Sequence, residues 1–336
     1  MSDAPHLSGW RYRAVILSVI LSVLGYLGFS LWSGWQDVCT AVVKVGAVGI
    51  LIALLMSLLN YGLRFLRWQL YLRVLGHPVP WRPSLRIYLA GFALTTTPGK
   101  AGEALRGVLL KPWAVPYPKS FAAFFSERLS DLFAVVLLTL FGLTLYPDAR
   151  PLIAVGIALV VGTLLLLSQR QLITWLERRT SMRPGKIMAL ARHLLQILLE
   201  AQRCHHPGTL SIAMLLSVIA WAAEALAFHW ILLWMGTDIP LVFAVFVYAL
   251  AMLGGALSFM PGGLGGAEAI MSALLIWKGM PAADAVAATV LIRVATLWFA
   301  VCIGMGMLAP RPLKVPCPPP WARHNRKRRS QHNPDF

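Results

Sequence analysis

The sequence predicts an all-α, polytopic inner-membrane protein with about six full spans plus two re-entrant helical hairpins in an inverted repeat. Three observations support this prediction: several uninterrupted apolar runs, a Pro-Gly motif that occurs twice, and a one-sided distribution of Lys and Arg. Of the 336 residues, 58% are hydrophobic and only 13% are charged, a composition typical of a chain with several membrane spans.

Apolar runs define the predicted spans. Those long enough to cross about 30 Å of hydrocarbon as helices are Ala14–Ser33, Val45–Leu63, Phe121–Tyr146, Pro151–Ser168, Thr209–Met235 and Ala283–Ala309. Two further runs, Ile87–Thr97 and Ala267–Trp277, are too short to cross alone, and each adjoins a Pro-Gly break. We expect these two to belong to hairpins that enter and leave the bilayer by the same face, covered by protein.

The predicted spans form a single transmembrane, transporter-like domain over residues 1–309, with inverted repeats centred on 84–146 and 239–309. Between the repeats, Lys186–Glu200 places apolar residues on one helix face and basic residues on another. This segment is therefore expected to lie in the membrane interface. Residues 310–336 form a basic, Pro-rich cytoplasmic tail that is expected to be disordered.

Most of the 30 Lys and Arg residues flank one side of this layout, and Lys44, Arg150 and Lys278 fall on the other. Because basic loops stay in the cytoplasm, both termini are predicted to be cytoplasmic in a bacterial inner membrane. A net charge of +17 would suggest nucleic acid as the partner of a soluble chain. Here the basic residues adjoin apolar runs, so the membrane and its anionic lipids are the expected partners, and nucleic acid is not.

One motif occurs in both halves of the chain. The first copy is Pro98-Gly99-Lys100-Ala101-Gly102-Glu103-Ala104, and the second is Pro261-Gly262-Gly263-Leu264-Gly265-Gly266-Ala267-Glu268-Ala269. In each copy Pro-Gly ends an apolar run and a glutamate opens the next one. An arginine follows 25 residues later, Arg128 in the first half and Arg293 in the second. Broken apolar segments in corresponding places of two halves indicate a transporter binding site.

Two interpretations of these glutamates and arginines stay open. Glu103 and Glu268 can cap helix N-termini and pair with arginines to hold the fold. Alternatively, Arg128 and Arg293 bind a phosphate near the middle of the membrane, with backbone amides of the re-entrant helices as further donors. Protonation of the glutamates would then release the arginines and couple anion movement to protons. Backbone is expected to approach the ligand at five glycines, Gly99, Gly102, Gly262, Gly263 and Gly265, of which Gly99, Gly262 and Gly263 are assigned to substrate binding.

Other ionisable residues near the first motif are candidates for the same site. Lys100 and Arg106 are either positive-inside anchors or a cytoplasmic phosphate-collecting pair. Glu127 and Asp131 share a helix face at i and i+4, so they need a cation, which Arg128 or Arg106 could supply. We assign Glu127 and Asp131 to coupling or gating, together with the glutamates of the motifs.

Glu224 is isolated in an apolar run and is expected to be buried and either protonated or paired. It is assigned to coupling, as a proton relay, or to a structural hydrogen bond. Cys204-His205-His206 with His193 fits no standard ligand set, so no metal or other cofactor is expected. The sequence contains no Walker loop, nucleotide fingerprint or nucleophile elbow, and catalysis is not expected.

Three segments resemble the flippase-like integral membrane family, whose best-known members form the transmembrane region of lysylphosphatidylglycerol synthases. They are the first motif extended to Arg106, the segment Ser126-Glu127-Arg128-Leu129-Ser130-Asp131-Leu132, and the second motif. The resemblance covers roughly residues 14–309. It implies movement of phospholipids or lipid-linked intermediates between leaflets. The soluble aminoacyl-transferase domain of the synthases has no counterpart in this sequence, so lipid aminoacylation is not expected.

The predicted function is translocation of a phosphate-bearing lipid, either a phospholipid or a polyprenyl-phosphate carrier with or without sugar. Two alternatives stay open. One is a non-transporting membrane partner that presents a lipid substrate to a separate enzyme of lipid or envelope biosynthesis. The other is an ion-coupled exporter of a small soluble anion, which would retain no lipid on purification.

Overall fold

A computed structural model of the chain describes residues 35–95, 102–140, 142, 150–181, 185–258 and 263–308. Regular structure in these residues is helical throughout, which confirms the predicted all-α class. The predicted span Ala14–Ser33, the tail 310–336 and both Pro-Gly breaks lie outside the described residues.

The helices follow one another in chain order. They are α1 (Trp35–Val74), α2 (Trp81–Ala90), α3 (Gly102–Leu110), α4 (Tyr117–Leu140), α5 (Arg150–Ser168), α6 (Arg170–Ser181), α7 (Lys186–Cys204), α8 (Pro207–Trp234), α9 (Leu241–Leu257), α10 (Gly266–Trp277), α11 (Ala282–Arg293) and α12 (Phe299–Leu308). A 3-10 turn, Gly91–Leu94, continues α2. A π-helical turn, Val294–Trp298, joins α11 to α12.

Three helices among the described residues are long and apolar enough to cross a membrane, Gln36–Val74, Pro207–Trp234 and Ala282–Leu308. A fourth candidate is a bent pair in which Ile153–Leu167 and Arg170–Thr180 meet at 72°. Large apolar side chains on these helices are exposed, as lipid-facing positions require. The chain is therefore a multi-pass membrane protein, and the predicted number of spans and the two re-entrant hairpins stay predictions.

Helix α1 is much longer than the span predicted at Val45–Leu63. It continues to Val74, so Arg64 and Arg67 are helical and lie within the bundle instead of in a basic loop. The predicted span ended where the apolar run ends, whereas these guanidinium groups are paired with the carboxylate of Asp131 on another helix and so can be buried. Because Arg64 and Arg67 lie inside the bundle, they no longer count among the basic residues that indicate the cytoplasmic side.

Helices α1 and α8 pack against each other and run antiparallel. The Asn60 amide donates a hydrogen bond of 2.8 Å to the carbonyl oxygen of Ala220. Further along α1, Arg67 contacts the hydroxyl of Ser217, which comes earlier in α8. The contact nearer the end of α1 is therefore the one nearer the start of α8, as antiparallel helices require. The Asn60 bond also satisfies a buried polar group where no lipid atom could do so.

The same local features occur in α1 and α8 at positions 160 residues apart. Asn60 and Ala220, which contact each other, have this same separation. Ser57 and Ser217 are both buried, and each donates to the carbonyl four residues earlier. Gly76 and Gly236 both have positive φ, at 77° and 84°, in matching turns at the helix ends. Such turns need a residue that tolerates the left-handed region.

A second recurrence has a spacing of 165 residues. Ala114 and Gly279 both adopt positive φ, at 56° and 98°. Two residues later Pro116 and Pro281 accept the first backbone hydrogen bonds of α4 and α11. Proline suits this place because it lacks the N–H that a helix start leaves unsatisfied.

Glycine allows the end of the chain's last described helix to approach the first half closely. Gly304 of α12 lies against the backbone of Phe92 and Ala93 in the 3-10 turn, and a Cβ atom there would overlap the backbone of Ala93. Gly306, two residues further on, has open space on its side. The contact joins α12 to the segment that leads towards the first Pro-Gly break.

Gly304→Ala is expected to destabilise the protein, because the added methyl group overlaps backbone that cannot rotate away. We expect a loss of ~1–3 kcal/mol, measured as a lower thermal unfolding midpoint in detergent. Gly306→Ala is the matched control, since its methyl group would meet nothing within 4 Å. Equal midpoints for the two variants would show that α12 does not pack on the 3-10 turn in this way.

Candidate functional site

Asp131 of α4 is the centre of a buried charge cluster. Its carboxylate accepts hydrogen bonds from Arg64 at 3.1 Å, Arg67 at 2.8 Å and Trp221 at 3.1 Å. Arg128, one turn earlier in α4, forms an ion pair with it at 3.2 Å. The donors come from α1, α4 and α8, so one carboxylate connects three helices. A carboxylate in this environment needs such partners, because removing it from water costs several kcal/mol.

Arg106 and Glu127 extend this cluster. The guanidinium of Arg106, on α3, is 2.9 Å from Glu127, and both side chains are almost fully buried. It also lies 4.2 Å from the ring centroid of Tyr88, with Trp68 and Phe92 slightly further away. The pair with Glu127 confirms the prediction that Arg106 or Arg128 supplies the cation for Glu127 and Asp131. The burial of Arg106 does not fit an anchor in a cytoplasmic loop, and a contact of Arg106 with phosphate stays a prediction. The physical reason for this burial is that the charge has a carboxylate and three aromatic faces inside the bundle.

The second half contains the ion pair that the motif spacing suggested. Nε of Arg293, at the end of α11, donates to Glu268 at 2.7 Å, and both residues are buried. The other carboxylate oxygen of Glu268 accepts the backbone N–H of Gly265 at 2.7 Å, which caps α10. Glu268 thus caps the N-terminus of its helix and pairs with an arginine, as the structural interpretation of the motif predicted. Its role in coupling stays a prediction.

Glu224 of α8 is 5% exposed, in agreement with the burial expected from its apolar run. The hydroxyl of Tyr248, from α9, donates to it at 2.6 Å. The structural hydrogen bond is therefore present, and the proton relay stays a prediction. Within the described residues, no group of three His, Cys, Asp or Glu side chains is arranged to hold a metal ion.

Five of these charged groups border one cavity of about 490 Å³. Its charged lining consists of Arg64, Arg128, Asp131, Glu224 and Arg293. Most of the remaining lining is apolar or aromatic, from α1, α4, α8, α9 and α12. Gly263 also lines the cavity, with φ of 68°, and a Cβ atom there would lie in tight contact with the backbone of Gly255, at 3.3 Å from its Cα. The cavity thus combines guanidinium groups with an apolar surface.

Several predicted site residues fall outside the described part of the chain. They are Gly99, Lys100 and Gly262. The backbone of Glu103 lies in the first turn of α3, as that of Glu268 does in α10, but the Glu103 side chain is not among those described. A pair between Glu103 and Arg128 therefore stays a prediction.

Sequence reasoning missed Arg64 and Arg67 as site residues, although the sequence carries a signal for them. Polar residues recur along α1 at helical spacing: Ser57, Asn60, Arg64, Arg67 and Tyr71. Residues three and four positions apart share a helix face. The pattern therefore indicates a helix that continues beyond its apolar run, with one polar face turned into the bundle.

A family model described as the lysylphosphatidylglycerol synthase TM region matches residues 15–304. The chain belongs to this family. The match includes the charge cluster, the cavity and both copies of the Pro-Gly motif. Membership in this family links the protein to lipid-related processes in a membrane, and it agrees with the resemblance found in the sequence motifs.

Curated relatives are similar over most of their length. A UPF0104 membrane protein of Methanothermobacter thermautotrophicus is 25% identical over 324 residues, which cover 89% of this chain and 95% of the relative. The UPF0104 membrane protein PH1989 of Pyrococcus horikoshii is 25% identical over 325 residues, with 88% and 95% covered. Their names describe membrane proteins and state no activity.

Asp131→Asn is expected to destabilise the protein strongly, because the amide keeps the shape but removes the charge that three arginines share. We expect a loss of ~3–5 kcal/mol, measured as the shift in the unfolding midpoint in detergent. Asp284→Asn is the matched control: Asp284 pairs with Lys44 at 3.7 Å, and both side chains are over a third exposed. That pair should contribute only ~0–1 kcal/mol. An Asp131→Asn midpoint close to wild type would contradict the role given to this carboxylate.

Proposed function

We propose that the protein moves a phosphate-bearing lipid or lipid-linked intermediate between the leaflets of the membrane. The observation that carries this proposal is the cavity, in which Arg64, Arg128 and Arg293 border a mostly apolar space. Guanidinium groups bind phosphate through paired N–H donors. An apolar lining suits acyl or polyprenyl chains. A phospholipid, or a polyprenyl-phosphate carrier with or without sugar, presents both chemistries in one molecule, and family membership supports a lipid as the substrate.

Four described arginines, Arg64, Arg67, Arg106 and Arg128, belong to the first-half cluster. A phosphate in the cavity would contact those that border it. Arg128 is the best placed of these arginines, because its side chain is 25% exposed and borders the cavity, whereas Arg67 and Arg106 are enclosed. A bound phosphate would then compete with Asp131 for Arg128.

We further propose that residues 35–140 and 207–308 form an inverted repeat, wider than the one expected from the sequence. The matched geometry at spacings of 160 and 165 supports the equivalence of the two halves. The antiparallel packing of α1 and α8 supports their opposite orientation, because equivalent positions Asn60 and Ala220 contact each other. In such a fold, rocking of one half against the other opens a central cavity to each side of the membrane in turn.

The two re-entrant hairpins belong to the same proposal. The first would consist of α2, its 3-10 turn and α3, and the second of α9 and α10. In each, a short helix after the Pro-Gly break begins with a glutamate in its first turn, Glu103 in the first and Glu268 in the second. Helix N-termini at this depth place backbone donors close to the cavity, where they can contact an anionic group.

Protons are the proposed coupling ion. Protonation of Glu268 would weaken its ion pair with Arg293 and free that guanidinium for the phosphate of the lipid. Glu224 borders the same cavity and is held by Tyr248, so its proton can also respond to the ligand. In this proposal the chain is a translocator and not an enzyme, and it acts in the inner membrane of a bacterium.

Arg128→Gln and Arg293→Gln are each expected to lower lipid translocation about tenfold or more, because a hydrogen bond to a charged group contributes roughly 1.5–3 kcal/mol. The measurement is the rate at which a membrane-impermeant reductant bleaches a fluorescent phospholipid in proteoliposomes. Arg150→Gln is the control, since Arg150 is exposed at the start of α5 and does not line the cavity.

Wild-type rates in both cavity variants would remove the proposed site. Absence of translocation by the wild-type protein, with lipid still bound to it, would instead identify a partner that only presents lipid to another enzyme.

Glu268→Gln is expected to abolish the response of translocation to an imposed pH gradient, because the amide imitates the permanently protonated side chain. Initial rates with and without the gradient are compared for wild type, Glu268→Gln and Glu224→Gln. Asp284→Asn is the control for an acidic residue outside the cavity. A gradient response that survives in both Glu268→Gln and Glu224→Gln would contradict coupling through these carboxylates.

A further inference from the structure

Helices α6 and α7 form a hairpin between the two proposed repeats and have no counterpart in either. The second half of α7 is fixed to the bundle through an apolar cluster with α4 and α5, in which Ala122, Val160 and Ala201 are buried. The side-chain amide of Gln202 also donates to the carbonyl oxygen of Leu167 at 2.7 Å, in the last turn of α5. The hairpin is therefore held at the level where α5 ends.

The end of α5 is also the end of an apolar surface that can face lipid. Val161, Leu165 and Leu166, near the end of α5, are exposed, as lipid-facing residues are. The chain then turns by 72° into α6, which starts at Arg170. A helix that leaves a span at such an angle lies close to the plane of the membrane surface.

The hairpin exposes a set of large apolar side chains. They are Leu172 and Trp175 on α6, and Ile187, Leu190 and Leu194 on α7. The three on α7 follow one another at spacings of three and four, so they share one face of the helix. With exposed fractions of 54–77%, this face is covered by no part of the chain that the structure describes. Contact with the apolar part of a membrane would remove it from water.

Positive charge accompanies these apolar residues. The basic residues of the two helices are Arg170, Arg178, Arg179, Lys186, Arg192 and Arg203, and the acidic ones are Glu177 and Glu200. The guanidinium of Arg179 lies 5.0 Å from the ring centroid of Trp175. Tryptophan with arginine beside it is a typical combination at the level of lipid head groups. Each basic residue close to an anionic membrane surface strengthens the attraction of the protein to that surface.

We propose that the α6–α7 hairpin is a binding surface for anionic lipid head groups, lying in the membrane interface and separate from the cavity. Its apolar residues enter the outer part of the hydrocarbon, and its arginines contact negatively charged head groups. The proposal does not depend on translocation, because no residue of this hairpin lines the cavity.

Hydrogen–deuterium exchange of the full chain in lipid nanodiscs tests this surface. We compare nanodiscs of pure phosphatidylcholine with nanodiscs that contain phosphatidylglycerol. Exchange in peptides from 170–204 is expected to slow by about fivefold or more in the anionic nanodiscs, as expected for the attraction of even one basic residue near the surface. Equal exchange in the two kinds of nanodisc would overturn the proposal.

Two variants separate charge from apolar contact. The double variant Arg178→Gln/Arg179→Gln should lose the difference between nanodiscs, whereas Arg150→Gln, at the other end of α5, should keep it. Leu190→Gln/Leu194→Gln should exchange faster in both nanodiscs, unlike Gln196→Ala on the opposite face of α7. Unchanged exchange in peptides from 207–234 verifies that each variant is folded. A double variant that keeps the full difference would also overturn the proposal.

Discussion

The carboxylate of Asp131 is the constraint on which the rest of the bundle depends. It binds Arg64 and Arg67 of α1, Arg128 of its own helix and the indole N–H of Trp221 on α8. Without it, Arg64 would lose its ion pair and Arg67 its shorter one, in a low-dielectric interior where an unpaired charge is costly. With it, α1, α4 and α8 are held together around one wall of the cavity.

The two halves resemble each other in backbone geometry more than in chemistry. At the spacings that relate them, Arg67 corresponds to Ala227 and Glu127 to Ile292. Both halves contain buried apolar clusters, but most of the described buried ion pairs lie in the first half, and Glu268 with Arg293 is the described one in the second.

Much of the fold could be predicted from apolar runs, because each long run in the described residues is helical over most of its length and Pro or Gly lies near many helix ends. The pairing of Glu268 with Arg293 was suggested by equal spacing in the two halves. The pairing of Arg64 and Arg67 could not be predicted in the same way, and Arg106 was predicted only as one of two possible cations for Glu127 and Asp131. A basic residue after an apolar run fits a loop as well as a buried pair, and the difference depends on carboxylates 21 to 67 residues away in the chain.

The central claim is that guanidinium groups in the cavity hold the phosphate of a lipid. Mass spectrometry of lipid retained through purification tests it most directly, with the wild-type protein beside an Arg64→Gln/Arg128→Gln/Arg293→Gln variant that remains folded. The account predicts a stoichiometric, phosphate-bearing lipid on the wild-type protein and its loss from the variant. Retention of the same lipid by both proteins, or of no phosphate-bearing lipid by the wild type, would contradict it.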